Sequence, residues 1–375
     1  MTHLATHRTR RSVALPPFSA SAAPLPSLLL LLLVSAGASA RSEAASASSW
    51  TEITPGGDTI CSDGSPFRFF VSPGSESSVV FEFEGGGCCF NALTCFTPIY
   101  KSRVMPNFEK LNLEHRQGIG SFNDPRNPVQ NWTRVFIPYC TGDAHTGNNT
   151  ASYATGKIHH KGLVNARSAL DYAFEHFASP DKVFVTGISA GAVATYVLAP
   201  WIFGHYTEAQ HFHLADSYAP VFGETGYNDG LENWKMAAAY DTANIGPLPV
   251  APWRPLICAA NVNSTALAFP NATWASYVSA DDTVEEGFYV AEGGGVDGYR
   301  WAKAMREALD GVPAHNFARF IAKGSKHGVL DTDGMYTKSS FVSGTKTEVV
   351  FGDWLRDMLD GKQVPMNVDC KGQGC

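Results

Sequence analysis

The stretch Lys182-Val183-Phe184-Val185-Thr186-Gly187-Ile188-Ser189-Ala190-Gly191-Ala192 constrains this chain more than any other. A β-branched, apolar run enters Gly-Ile-Ser-Ala-Gly, and a small-residue segment compatible with helix leaves it. Strand, sharp turn and helix in immediate succession are the setting of a nucleophile elbow, which holds a serine hydroxyl out at the carboxyl edge of a sheet. A Cβ at Gly187 or Gly191 would collide with neighbouring backbone, so the turn needs glycine at both positions. The bare pattern also arises by chance as a surface turn in glycine-rich chains. The strand before it and the helix after it are what make it informative.

The rest of the chain supplies more strands and helices in alternation. Val79-Val80-Phe81-Glu82-Phe83 reads as a strand running into Glu84-Gly85-Gly86-Gly87, and Arg134-Val135-Phe136-Ile137 as a second strand ended by Pro138. Lys161 to Phe177 has helical spacing of Leu163, Leu170, Phe174 and Phe177, and Ser179-Pro180 stops it. His211 to Asp216, Trp274 to Val278 and Phe317 to Ala322 are further strands; Val296 to Leu309 and Thr347 to Leu359 are further helices. Such alternation predicts an α/β fold, a mostly parallel sheet with helices on both faces. With 375 residues and 44% hydrophobic content the chain can bury one large core, expected as a single domain over 58–375. No repeat of 20–50 residues is present, which disfavours solenoids and propellers.

The N-terminus reads as a cleaved secretory signal over 1–40. Arg8, Arg10 and Arg11 precede the apolar run Leu28 to Val34, and Ala38-Ser39-Ala40 fits a cleavage site. That run is short for a bilayer span, so no stable membrane insertion is expected after cleavage. Residues 41–57, rich in Ser, Ala and Gly, read as a flexible lead. Without residues 1–40 the chain has 25 basic and 35 acidic side chains, a net −10, and no basic cluster, which disfavours nucleic acid. All 8 cysteines lie beyond the signal, and an even count in an exported chain favours disulfides. Sequons at Asn131, Asn148, Asn263 and Asn271 agree with a secreted, extracellular destination.

A serine hydroxyl becomes nucleophilic when a base takes its proton and a third group orients that base. The order serine, acid, histidine is met downstream: Asp281 and Asp282 end one predicted strand, and His327 follows the next. One of the two aspartates is the orienting acid. Backbone N–H groups for an oxyanion hole are available at Ala190 and in Gly85-Gly86-Gly87. No Gly-Lys-Ser/Thr follows that loop, so phosphate binding is disfavoured. His159-His160 and His211-x-His213 with Asp216 lack a matching third ligand and read as structural, and no metal or cofactor is expected. Asp143-x-His145, in a loop after a strand, reads as cleft-lining or supporting.

Five ordered motifs carry a resemblance: Cys61-Ser62-Asp63-Gly64-Ser65-Pro66; Phe83-Glu84-Gly85-Gly86-Gly87 with Cys89; Phe136-Ile137-Pro138-Tyr139-Cys140; Gly-Ile-Ser-Ala-Gly; and Ala215-Asp216-Ser217. Together they resemble the pectin acetylesterase/Notum family of carboxylester hydrolases over about 58–330. The resemblance implies an α/β-hydrolase-like fold with Ser189 as nucleophile, His327 as base and, by the match of Ala280-Asp281-Asp282-Thr283-Val284-Glu285 to the family's acid stretch, Asp282 as acid. It places the oxyanion donors at Gly86, Gly87 and Ala190, and implies Cys61–Cys140 and Cys89–Cys95 disulfides, leaving Cys88, Cys258, Cys370 and Cys375 open. Cys88 stands where the plant-type pattern has Trp, and Val284-Glu285 where it has Trp-Gln, so the pocket is expected to differ. The implied activity is removal of short acyl groups, acetyl foremost, from a carbohydrate such as pectin. Deacylation of a lipid or fatty-acylated protein, and a non-catalytic binding protein on the same scaffold, are the alternatives.

Overall fold

The strand pattern built on Val79–Phe83 and Val183–Ile188 forms the centre of the sheet in the computed structural model. The structure describes residues 50–375 apart from 97–99, 101–102, 107–110, 112, 114–115, 155, 222–227, 229, 231, 237–258, 296–297 and 372–374. The signal expected over 1–40 therefore lies outside the described residues, as does Cys258. Ala45–Cys375 packs as one unit.

The strands are β1 (Thr51–Ile53), β2 (Phe69–Ser72), β3 (Ser75–Phe83), β4 (Trp132–Ile137), β5 (Asn149–Tyr153), β6 (Gly156–His160), β7 (Lys182–Ile188), β8 (Gln210–Asp216), β9 (Trp274–Ser279), β10 (Phe317–Ala322), β11 (Ser339–Phe341), β12 (Glu348–Val350) and β13 (Asn367–Asp369). A 9-stranded sheet has the order β1-β2-β4-β3-β7-β8-β9-β10-β13. Neighbours from β4 to β13 pair in parallel, whereas β2 runs antiparallel to β4 and β1 antiparallel to β2. The helices that matter for the site are α1 (Ala92–Cys95), α2 (Gly162–His176), α3 (Ala190–His205), α4 (Ala259–Ala268), α5 (Thr283–Ala291), α6 (Gly298–Asp310) and α7 (Phe351–Leu359).

Side chains of one strand point alternately to opposite faces, and both faces here are covered. Val79, Phe81, Val183 and Val185 pack with Leu163, Ala166, Val193 and Val197 of α2 and α3. Val80, Phe184, Phe212 and Phe320 face the other way, into a core with Phe351, Trp354 and Leu355 of α7. Continuous apolar strands are thus the sequence signature of a sheet buried on both sides, and the parallel centre follows from the helical crossovers.

Two expectations need correction. The flexible lead over 41–57 ends earlier, because Thr51–Ile53 adds to the sheet edge by pairing with Phe69–Val71. The helix expected over Thr347 to Leu359 is a strand followed by a shorter helix. β-branched Val349 and Val350 pair with β11, and helix begins only at Phe351.

Candidate active site

β3, β7, β8, β9 and β10 all present their carboxyl ends at one edge of the sheet, the place where open α/β sheets hold their ligands. Ser189 stands there between β7 and α3 with φ 57° and ψ −121°. An L residue adopts this backbone at a cost of about 1–3 kcal/mol, so the surroundings must hold it. They do: a Cβ on Gly187 would lie 2.5 Å from the Gly191 carbonyl, and one on Gly191 2.0 Å from that of Phe83. The Ser189 N–H donates to the Asp216 carbonyl at 2.9 Å, pinning the elbow to β8.

Asp282 and Asp281 separate cleanly. Asp281 is exposed, whereas Asp282 is fully buried and caps α5, its Oδ1 accepting the N–H groups of Val284 at 3.0 Å and Glu285 at 3.1 Å. The same carboxylate lies 2.9 Å from His327 Nδ1. A carboxylate only accepts, so Nδ1 carries the hydrogen and Nε2 is left as the basic atom. His327 Nε2 is buried without a hydrogen-bond partner, and His327 and Ser189 line the same cavity. Ser279 Oγ donates to the Lys326 carbonyl at 2.7 Å, which ties the histidine loop to the end of β9.

The glycine loop after β3 packs directly on the elbow. A Cβ on Gly85 would meet the Ile188 carbonyl at 2.5 Å and Ser189 Cβ at 3.2 Å, so only glycine allows this approach. Gly86 and Gly87 have φ 155° and 75°, and both line the cavity in front of Ser189. Ala190, the first residue of α3, lies beside them. Backbone N–H donors from the loop and from a helix N-terminus are therefore gathered around one side chain, where they can stabilise a developing oxyanion.

Two cavities meet at Ser189. The wider, of about 980 Å³, is lined by Glu82, Glu84, Arg116, Phe136, His327 and Asp331 among others. The narrower, of about 40 Å³, lies between Ala190 and Val193 of α3, Trp234, Trp301 and the Glu285–Tyr289 face of α5, with Cys88 and Glu292 also lining it. Phe288 borders both. Burial pushes both the Cys88 thiol and the Glu285 carboxyl up.

Asp143 and His145 do not line either cavity: Asp143 holds its own loop together, and His145 braces the glycine loop from behind. Asp143 is fully buried and accepts from Thr141 Oγ1 at 2.6 Å and from the Gly162 N–H at 2.7 Å. Burial pushes His145 down to about 4, so the neutral ring donates from Nε2 to the Glu84 carbonyl at 2.9 Å. His160 bonds the Thr141 carbonyl, His213 the Thr195 hydroxyl and His211 the Tyr206 carbonyl, each a structural role. The Cys61–Cys140 and Cys89–Cys95 disulfides are present, and Cys370–Cys375 adds a third. Cys88 is a free, buried thiol.

Glu84 was not singled out from the sequence beyond its place in the loop. Its carboxylate accepts the Tyr139 N–H at 2.9 Å, and its own N–H donates to the Ile137 carbonyl at 3.0 Å. Burial raises it to about 7, against the lowering effects of the Tyr139 N–H and Arg116. The folded chain then holds a proton that the unfolded chain releases near 4.5, so the stability present below 4.5 is lost as pH rises towards 7. Glu84→Gln keeps an acceptor for Tyr139 and removes the ionisation. Its melting temperature relative to wild type is expected to be higher at pH 8 than at pH 5; an equal difference at both would contradict the assignment.

A profile of the family described as Pectinacetylesterase matches residues 51–210, which include the glycine loop and the elbow but neither Asp282 nor His327. Pectin acetylesterase 11 of Arabidopsis thaliana is 30% identical over 141 residues, 36% of this chain and 36% of that protein. The matches thus span about a third of the length of such plant relatives. The protein named inactive palmitoleoyl-protein carboxylesterase notum1b of Danio rerio is 32% identical over 119 residues, which are 30% of this chain and 82% of that one. The structure of the Wnt deacylase Notum from Drosophila superposes with a TM-score of 0.60 at 16% identity, covering 86% of this chain and 98% of Notum, a likeness of fold. An α/β-hydrolase-like sheet, an elbow backed by a glycine loop and these relatives agree: the chain belongs to the pectin acetylesterase/Notum family of carboxylester hydrolases.

Proposed function

We propose that this chain is a secreted serine carboxylesterase that removes short acyl groups, acetyl foremost, from a carbohydrate. The observation that carries the reading is the alignment at one sheet edge of the strained Ser189, the glycine loop packed against it and the Asp282–His327 pair. Ser189 Oγ attacks the ester carbonyl as His327 Nε2 takes its proton, and Asp282 holds the imidazole and stabilises its charged form. The oxyanion of the tetrahedral intermediate is received by the N–H groups of Gly86, Gly87 and Ala190. His327 then returns the proton to the leaving alcohol. Water attacks the acyl-enzyme with His327 as base, releasing the carboxylic acid and free Ser189.

Cavity size supports the short acyl group. The narrow, largely apolar cavity of about 40 Å³ beside Ser189 suits an acetyl methyl better than a long fatty tail. The wide cavity of about 980 Å³ has room for a sugar as leaving group. Disulfides among the described residues and the exposed sequons at Asn131 and Asn271 support export.

Hydrolysis of p-nitrophenyl esters from acetate to palmitate tests the reading. Acetate should be preferred, with kcat/KM falling at least about tenfold for each step that forces carbons past the pocket wall. Phe288→Ala, which removes a side chain bordering both cavities, should shift the optimum to longer esters. A palmitate optimum in wild type would instead support deacylation of a lipid or lipidated protein. No turnover of any ester by folded protein would support a non-catalytic binding protein on the same scaffold.

A further inference from the structure

Asp216 closes β8 with its side chain fully buried, lining neither cavity, and the proposed chemistry does not use it. Its hydrogen bonds nevertheless join the two backbone segments that carry Ser189 and His327. The main-chain carbonyl accepts the Ser189 N–H at 2.9 Å. Oδ2 accepts the N–H groups of Val329 and Leu330, each at 2.8 Å. Oδ1 accepts the Ser217 hydroxyl at 2.9 Å, and that hydroxyl accepts the Gly328 N–H at 2.8 Å. The three consecutive N–H groups that follow His327 thus converge on Asp216 and Ser217.

Ser217 is held in the left-handed region at φ 56° to make this relay, and its own N–H donates to the Tyr277 carbonyl at 2.8 Å. Gly328, at φ 77°, gives the loop the turn that aims its N–H inward. A strained non-glycine residue and a desolvated carboxylate are both costly, and both serve one loop. We propose that Asp216 is a positioning residue that fixes the histidine loop to the nucleophile elbow and so sets His327 in register with Ser189. This rests on the esterase reading above.

A carboxylate suits the task because both oxygens only accept, whereas Asn turns one of them into a donor facing N–H groups. Burial pushes Asp216 up to about 6, and the Val329 and Leu330 N–H groups oppose that rise. Among the described residues the titratable groups that act on it are Asp331 on the histidine loop and Tyr277 on β9; burial raises Tyr277 so that it stays neutral. Protonation of Asp216 in acid therefore withdraws an acceptor from the loop.

The test compares wild type, Asp216→Asn and Ser217→Ala on p-nitrophenyl acetate, each checked for cooperative melting and native near-UV circular dichroism. Displacement of a reacting group by about 1 Å costs on the order of 100-fold, so Asp216→Asn should lose about that in kcat with KM changed less than about threefold. Ser217→Ala, which frees only the Gly328 N–H, should lose about tenfold in kcat. The acid limb of wild-type log kcat should be steeper than that of Asp216→Asn, which has no carboxyl at this position to protonate. A folded Asp216→Asn with wild-type kcat and an unchanged acid limb overturns the proposal. If Asp216→Asn does not fold, Ser217→Ala decides: a kcat loss at constant KM supports the proposal, and unchanged kcat overturns it. Wild type without activity on any ester overturns the esterase reading and this proposal with it.

Discussion

Ser189→Ala should reduce hydrolysis of p-nitrophenyl acetate by roughly 10⁴-fold or more while leaving the fold intact. The elbow conformation is set by Gly187, Gly191 and the Ser189 N–H bond to Asp216, none of which involves the hydroxyl. Alanine keeps the Cβ that the turn already accommodates, so the melting temperature should move little. His327→Ala should cost about as much, because a nucleophile and its base act as a unit and their losses do not add. Residual activity in either variant, well above the uncatalysed rate, is expected from the glycine-loop donors alone. Steady-state rates with the pure variants, at one fixed pH, read the effect directly.

Asp282→Asn should lower kcat by about 10³–10⁴-fold, and Asp281→Asn by less than about twofold. The contrast comes from one side chain doing two things. As cap of α5, Asp282 accepts from Val284 and Glu285, and asparagine can do the same. Facing His327, an asparagine amide would donate and turn Nδ1 into an acceptor, moving the hydrogen to Nε2, which then cannot accept the proton of Ser189. The helix should therefore survive and the chemistry fail. Asp281 is exposed and contributes its backbone N–H to the Gly324 carbonyl at 3.0 Å, a bond that asparagine keeps. Equal losses in the two variants would contradict the assignment of the acid.

Much of this arrangement was legible because it is local. The elbow is dictated by two glycines whose hydrogen atoms face carbonyls, and the continuous runs in β3 and β7 announce strands buried on both faces. The choice between Asp281 and Asp282 was left open by the strand ends. A local signal did exist: Asp282 is followed three residues later by Glu285, the spacing of a helix cap, which turns its side chain inward to start α5. What was not legible depends on contacts between distant segments. Asp216 meets Val329 and Leu330 more than 100 positions later in the chain, and nothing in Ala-Asp-Ser signals that destination. Asp143 is similar, since its partners Gly147 and Gly162 become neighbours only when β5 and β6 fold back. The short edge strands β1 and β2 carry too few residues to show a period, and the pairing that makes them strands is tertiary.

Labelling of the folded protein with diethyl p-nitrophenyl phosphate, read by intact mass and peptide mapping, tests the central claim most directly. The reagent phosphorylates a serine only when a base activates it. Wild type should gain one diethylphosphoryl group, mapped to the peptide bearing Ser189, and His327→Ala should gain none over the same time. No adduct on folded wild type, or an adduct on any other residue, would contradict Ser189 as the nucleophile.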